Sequence, residues 1–282
     1  MFERISNGWA LAKASWQVLK LDRELLVFPL LSGIACLIVM ASFAVPLIAG
    51  NHFESIGQSA GDEWTGKDLA MLAVAFAFYF INYFIIIFFN SALVACAIIR
   101  FRGGDPTLAD GFRAAGERLP QILAWAAVSA TVGIILKAIE SRSRRAGQFM
   151  SGLLGMAWSA TTYFVIPIIV IERAGPFEAI SRSLSILRRH WGESLAANFG
   201  IGLIVMAAML VAAIPAVLGV LTGQPLWIAT GIVISVTAFI LVALISSALS
   251  AIVVGALYEY ATREEPPAVF DASTLERAFV RQ

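Results

Sequence analysis

Charged residues are scarce in this sequence. Lys, Arg, Asp and Glu together make up 14% of its 282 residues, whereas they account for about 25% of a typical soluble domain. Hydrophobic residues reach 59%, and the mean hydropathy is +0.83. This composition excludes a soluble globular enzyme and a disordered chain. Because the formal net charge is only +1, there is no bulk field to attract nucleic acid or acidic substrates, and we expect no nucleic-acid partner.

Residues that form disulfides, metal sites and nucleophilic centres are also few. The chain has two cysteines and two histidines, too few for a disulfide framework and without the spacing of a metal site. It has neither a Gly-x-Ser-x-Gly nucleophile elbow nor a Gly-x-Gly-x-x-Gly phosphate loop. We therefore predict no catalytic residue, no cofactor and no metal, and expect that the protein is not an enzyme.

Long apolar runs are abundant. Six of them have about the 20 residues that a helix needs to cross the hydrocarbon core of a membrane. They are Leu25–Gly50, Leu69–Ile99, Gln121–Ile139, Phe149–Ile171, Leu195–Leu221 and Leu226–Leu257. No Asp, Glu, Lys, Arg or His falls in the middle of a run, which argues against a proton relay or an ion path. The sequence predicts an all-α polytopic bundle of six transmembrane helices, with residues 1–282 as one membrane domain.

The distribution of Lys and Arg predicts the orientation. If the N-terminus is cytoplasmic, the segments on that side carry 15 of the 20 Lys and Arg residues. This excess favours both termini in the cytoplasm, for a multi-pass membrane protein. The short basic loop Glu140–Arg145 disagrees. Either the overall bias overrides it, which we prefer, or the third and fourth runs do not both cross.

An amphipathic pattern precedes each pair of apolar runs. Apolar residues with steps of 3, 4, 3 and 4 share one face of a helix. The pattern occurs at Phe2, Ile5, Trp9, Ala12 and Trp16, again at Phe177, Ile180, Leu184, Leu187 and Trp191, and more weakly at Leu108, Phe112, Ala115 and Leu119, with polar residues, Ser183 and Arg118 among them, on the opposite faces. It predicts three repeat units, residues 1–104, 105–175 and 176–262, around a pseudo-threefold axis, with a cytoplasmic tail at 263–282.

These amphipathic helices are the predicted interaction surface. Aromatic faces with Lys and Arg flanks suit an anionic membrane surface. The candidate lipid or partner contacts are Trp9, Trp16, Phe112, Arg188, Arg189 and Trp191. Small residues at every fourth position, from Ser151 to Ser159 and from Ala243 to Gly255, predict close helix packing within the bundle or between copies of the chain.

Three segments resemble a known family. They are Trp16–Pro29, Phe164–Ser183 and Ala256–Thr262, followed by Val269-Phe-Asp271 and Ala278-Phe279. Together they resemble an uncharacterised prokaryotic family of multi-span membrane proteins, domain-of-unknown-function family 6159, over nearly the whole chain. Arg263-Glu264 and Val269 depart from the expected tail pattern. The resemblance implies a multi-span fold in the cytoplasmic (inner) membrane of a prokaryote and no particular activity, so it assigns no catalytic or binding residue.

Three functional hypotheses remain, with an intramembrane enzyme as the third. The first is a structural or accessory membrane protein that binds lipids, other membrane proteins or a second copy of itself. The alternative is a transporter or channel for a neutral or lipidic solute. Pro167 and Pro215 each remove a backbone donor from a predicted span, and broken helices can frame a substrate site. The absence of an acid, base, metal or nucleophile constellation makes an enzyme the least favoured class.

Overall fold

The fold is helical, as the sequence predicts. A computed structural model describes residues 13–49, 66–142, 146–189 and 191–263. Of the described residues 92% are helical, and none lies in a strand. The all-α prediction is therefore confirmed.

The helices follow the order of the sequence pattern. Residues 13–21 form α1, and a 3₁₀ helix follows at Arg23–Leu26. The remaining helices are α2 (Val27–Ala49), α3 (Gly66–Phe101), α4 (Leu108–Glu117), α5 (Leu119–Arg142), α6 (Ala146–Thr161), α7 (Val165–Glu172), α8 (Pro176–Arg189), α9 (Trp191–Leu221) and α10 (Pro225–Arg263).

Six stretches of the described residues are long and apolar enough to cross a membrane. They are Arg23–Val45, Leu69–Phe101, Leu119–Ser141, Gly147–Glu172, Ile204–Leu221 and Pro225–Arg263. Each overlaps one of the six predicted spans, so the predicted number and order of spans are confirmed. Six such helices are the pattern of a multi-pass membrane protein.

The fourth span is not one continuous helix. Helix α6 ends at Thr161 and α7 begins at Val165, with three residues of turn between them. Pro167 explains the break, because it has no N–H to donate to the carbonyl of Tyr163 one turn earlier. Pro215, by contrast, lies inside the uninterrupted helix α9. Only the first of the two prolines therefore divides its span.

The amphipathic segments are helical wherever the structure describes them. Residues 13–21, α4 and α8 all form helices, and each precedes two of the predicted spans. The threefold repeat and its pseudo-threefold axis stay predictions, as does the placement of these helices on one face of the membrane.

The chain divides into two compact units. The first contains the described residues of Met1–Pro29, Leu93–Gly111 and Ile186–Gln282. Within it α9 and α10 pack along each other. The packing is so close that a Cβ atom on Gly231 would overlap the carbonyl group of Pro215. Near this point the N–H of Ala216 donates to Ser235 Oγ at 2.9 Å.

The second unit contains Leu30–Ala92 and Phe112–Ser185. Here α5 packs against α6, and the rings of Trp125 and Trp158 stack with centroids 5.6 Å apart. Helix α7 supplies much of the core, since five of its eight residues are buried. The half of the fourth span that follows the break is thus its better-packed half.

Candidate functional site

Arg100, at the end of α3, joins two charged positions of the first unit. Its Nε atom donates to Asp22 Oδ2 at 2.6 Å, and its Nη2 atom donates to Asp22 Oδ1 and to Asp105 Oδ1. The side chain of Asp22 is only 8% exposed. Bidentate Arg–carboxylate pairs are among the strongest hydrogen-bonded pairs in proteins. We call these three residues the Arg100 network; it fixes the segment before α2 to the end of α3.

A second network surrounds Glu259, in the last turns of α10. Glu259 is 4% exposed. It accepts hydrogen bonds from Arg102 Nε at 3.0 Å and Arg102 Nη2 at 3.3 Å, and Arg263 Nε lies 3.0 Å from the same carboxylate. Two guanidinium groups thus compensate one buried carboxylate. This Glu259 network ties the end of α3 to the end of α10.

A small cavity lies beside the Arg100 network. Its volume is about 210 Å³, below the roughly 300–1,000 Å³ of ordinary ligand pockets. Its lining combines apolar side chains with Asp22, Arg23, Glu24, Asp105 and Thr107. Cys96 also lines it and donates from its thiol to the carbonyl oxygen of Thr107 at 3.4 Å. Among the described residues, no group of three His, Cys, Asp or Glu side chains is placed to hold a metal ion.

Helix α4 begins at a capping box. The N–H of Asp110 donates to Thr107 Oγ1 at 3.3 Å, while the N–H of Thr107 donates to Asp110 Oδ2 at 3.1 Å. Such reciprocal bonds satisfy backbone donors at a helix start. The preceding Gly103 has a φ of +82°, a conformation that favours glycine. The Gly103–Pro106 segment is therefore a turn that leads into α4.

The buried face of α8 differs from the predicted one. Ser183, which the sequence pattern places on the polar face, is fully buried together with Ala179. Phe177, which opens the predicted apolar face, is 78% exposed. The predicted helix is present, but the prediction that Ser183 lies on its polar face is wrong. The reason is that Ser183 Oγ accepts a hydrogen bond from the N–H of Phe164 at the break in the fourth span.

Helix α1 also turns an aromatic residue outward. Ser15 and Val18 are fully buried, whereas Trp16 is 39% exposed. The Lys20 ammonium group lies 5.8 Å from the centroid of the Trp16 ring, within range of a cation–π interaction. Trp16 and Lys20 thus present an aromatic ring and a positive charge together.

The other candidate contacts have mixed surroundings. Phe112 is half-buried, with its ring 6.3 Å from that of Phe88 and 6.1 Å from that of Phe89. Arg188 is exposed. Trp9 and the side chains of Arg189 and Trp191 lie outside the described residues. The structure therefore describes Trp16, Phe112 and Arg188 of the six candidates, and the contact role of all six stays a prediction.

The side chain of Arg118 is more deeply buried than its position in the sequence pattern predicts. The pattern places it on the polar face of the second amphipathic segment, yet its side chain is only 11% exposed. Its Nε atom donates to the carbonyl oxygen of Val170 at 3.2 Å, in the last turn of α7. A cation at a helix C-terminus also interacts favourably with the helix dipole. Arg118 is thus an anchor for α7.

The small-residue stripe of α10 packs partly within the first unit. Ala251 and Gly255 are buried, and a Cβ atom on Gly255 would lie 3.5 Å from the Phe101 ring. Ser247 and Ala243, earlier in the stripe, are exposed. The C-terminal half of this predicted stripe is therefore an internal packing face.

Sequence reasoning missed the two charge networks and the role of Ser183. One signal was available, since the second apolar run ends in Arg100-Phe-Arg102 and the sixth ends in Tyr258-Glu-Tyr260. Opposite charges at the ends of two such spans favour a pair. Nothing in the pattern pointed to Asp22, which lies 78 residues from its partner Arg100.

The comparisons with known proteins identify a family and no function. A family model described as a family of unknown function, DUF6159, matches residues 69–266. This range covers more than two-thirds of the chain and runs from α3 to just past α10. No curated protein matches the chain.

Proposed function

The chain belongs to the DUF6159 family, whose function is unknown, and from that premise we propose a structural or accessory role in the cytoplasmic membrane. In this proposal both termini lie in the cytoplasm, and the amphipathic helices rest on the inner leaflet, where they bind anionic lipids or neighbouring membrane proteins. No catalytic activity is proposed. The six apolar helices support the membrane location, and the surface of α8 supports the interfacial role.

The observation that carries the proposal is the outward side of α8. Phe177 is 78% exposed although Ala179, two residues later, is fully buried. One side of the helix therefore packs on the protein while another presents an aromatic side chain outward. A helix lying in the membrane interface buries such a side chain about 5–10 Å into the boundary between headgroups and acyl chains. On α1 as well, an exposed aromatic ring points outward, and the positive charge of Lys20 lies beside this ring of Trp16.

The charges of α8 fit the same location. Arg182 pairs with Glu172 at 3.3 Å, whereas exposed Arg188 has no ion pair with any described residue. Near an anionic membrane surface, each Lys or Arg contributes about 1 kcal/mol. Arg188 and its neighbour Arg189 are therefore the residues expected to contact lipid phosphates.

Lipid retention tests the proposal. Replacing both residues, Arg188→Gln with Arg189→Gln, removes about 2 kcal/mol of attraction, which corresponds to roughly 30-fold weaker retention of anionic lipid. Native mass spectrometry of protein released from nanodiscs measures this retention. The matched control, Arg188→Lys with Arg189→Lys, keeps both charges and should retain lipid. Equal retention by the Gln variant and the native protein would show that this end of α8 does not bind anionic lipid.

A transporter or channel for a neutral or lipidic solute is the second candidate. One observation favours it, the break of the fourth span at residues 162–164, where the hydroxyl of Tyr163 is buried without a hydrogen-bond partner among the described residues. Discontinuous helices form the substrate sites of several transporters. Uptake of a neutral polyol into proteoliposomes, and its loss in Tyr163→Phe, would support this function over the accessory one.

A further inference from the structure

The break in the fourth span leaves backbone groups that a continuous helix would pair. Tyr163 N–H bonds to Ala160 O at 3.3 Å, and Val165 N–H bonds to Thr162 O at 3.1 Å, both in the tighter i to i−3 pattern. The N–H of Phe164, between them, donates instead to Ser183 Oγ at 3.1 Å. A hydrogen bond at the break thus depends on a side chain from another helix.

Ser183 satisfies a backbone N–H group at the start of α7, the N–H of its N-cap residue Phe164. The N-cap position of this helix is Phe164, whose own side chain makes no capping bond. Serine is among the residues preferred at that position because its oxygen accepts from backbone N–H groups. Here the serine comes from α8, 19 residues further along the chain. Phe164 is 1% exposed and Ser183 is 0% exposed, so bulk water cannot replace the bond without an opening of the structure.

The other end of α7 is held by the neighbouring amphipathic segments as well. Arg118, directly after α4, donates to the carbonyl oxygen of Val170. Arg182 of α8 pairs with Glu172 at 3.3 Å. Side chains of α8 therefore reach both ends of α7, and Arg118, from the turn between α4 and α5, reaches its last turn. A turn separates α7 from α6.

We infer that α8 controls whether the backbone of the fourth span is paired or exposed at residues 162–164. It does so through the hydrogen bond from the Phe164 N–H to the Ser183 hydroxyl, which we call the clasp. An anionic membrane surface that binds the outward side of α8 holds this helix in place and closes the clasp; displacement of α8 exposes the backbone of the break. The inference rests on the proposed interfacial role of α8 and names what that role regulates. By linkage, closing the break in turn strengthens lipid binding by the same factor.

Hydrogen exchange measured on the full chain in nanodiscs tests the clasp itself. Ser183→Ala leaves a buried N–H without its acceptor, so exchange at residues 162–165 should become roughly tenfold faster. Ser183→Thr keeps the hydroxyl and should restore slow exchange. Ser181→Ala, at an exposed position of the same helix, is the matched control and should leave the break unchanged. Unchanged exchange in a folded Ser183→Ala protein would overturn the inference.

Lipid composition tests the coupling and needs no variant to fold. In the native protein, replacing zwitterionic by anionic lipid should slow exchange in α8 and at residues 162–165 together. In Ser183→Ala, anionic lipid should still slow hydrogen exchange in α8 but should leave exchange at residues 162–165 unchanged. Protection of α8 without protection of the break in the native protein would overturn the clasp and leave the proposed function standing. If neither region responds, the interfacial role and the lipid-controlled clasp both fail.

Discussion

Two arginines at the end of α3 should differ sharply in their effect on stability. Arg100 is the ion-pair partner of Asp22, whose side chain is 8% exposed. Arg100→Gln removes this partner and leaves the buried carboxylate of Asp22 without its compensating charge, which lowers the free energy of unfolding by about 3–5 kcal/mol. Arg102 is 42% exposed, and its partner Glu259 also pairs with Arg263 at 3.0 Å. Arg102→Gln therefore removes a partly exposed bond from a compensated carboxylate, at a cost of about 1 kcal/mol or less.

Thermal unfolding in detergent micelles, followed by loss of the monomeric peak in size-exclusion chromatography, measures the difference. At about 2–4 °C per kcal/mol for a chain of this size, Arg100→Gln should lower the midpoint by at least about 6 °C and Arg102→Gln by less than about 4 °C. Adding Asp22→Asn to Arg100→Gln removes the stranded charge and should recover part of the loss. Equal midpoints for the two single variants, or no recovery in the double variant, would refute the proposed difference between the networks.

Two further predictions concern topology and helix packing. In a cysteine-free background, Asp62→Cys should react with an impermeant maleimide in intact cells and Ser273→Cys only after lysis; the reverse pattern would overturn the cytoplasmic placement of the termini. Gly231→Ala forces a Cβ atom onto the carbonyl of Pro215 and should destabilise the α9–α10 pair by about 1–3 kcal/mol. Gly152→Ala, with nothing within 4 Å of its Cβ, should be neutral or stabilising by up to about 1 kcal/mol; similar destabilisation by both would contradict the close approach of α9 and α10.

The apolar runs were predictable because length and hydropathy alone determine which segments can span a hydrocarbon core. A local change in the fourth span was also foreseeable, since Pro167 cannot donate a hydrogen bond wherever it lies in a helix, but the same argument applies to Pro215, whose helix α9 is uninterrupted. Both inferences use properties of a single segment. They do not depend on which other segment packs against it.

The contacts between distant segments were less predictable. The sequence pattern places Ser183 on the polar face of α8 together with the charged residues Arg182 and Arg188. In the structure Ser183 is buried, and its hydroxyl accepts a hydrogen bond from the Phe164 N–H at the break. The pattern of α8 does not show that Phe164 needs an acceptor. For the same reason Arg118 looked like a solvent-facing residue, although it caps a helix 52 residues later in the chain.

The interfacial placement of α8 is the central claim, and one measurement tests it most directly. A nitroxide spin label on Phe177→Cys, in a cysteine-free background in nanodiscs with anionic lipid, is compared with a label on Glu178→Cys, which is also exposed. Power-saturation EPR reports the access of oxygen, which concentrates in the acyl region, and of a water-soluble nickel chelate. The account predicts that the label at position 177 is reached well by oxygen and poorly by the chelate, with the opposite preference at 178. Equal access of the chelate to both labels, or shielding of position 177 from both reagents, would contradict it.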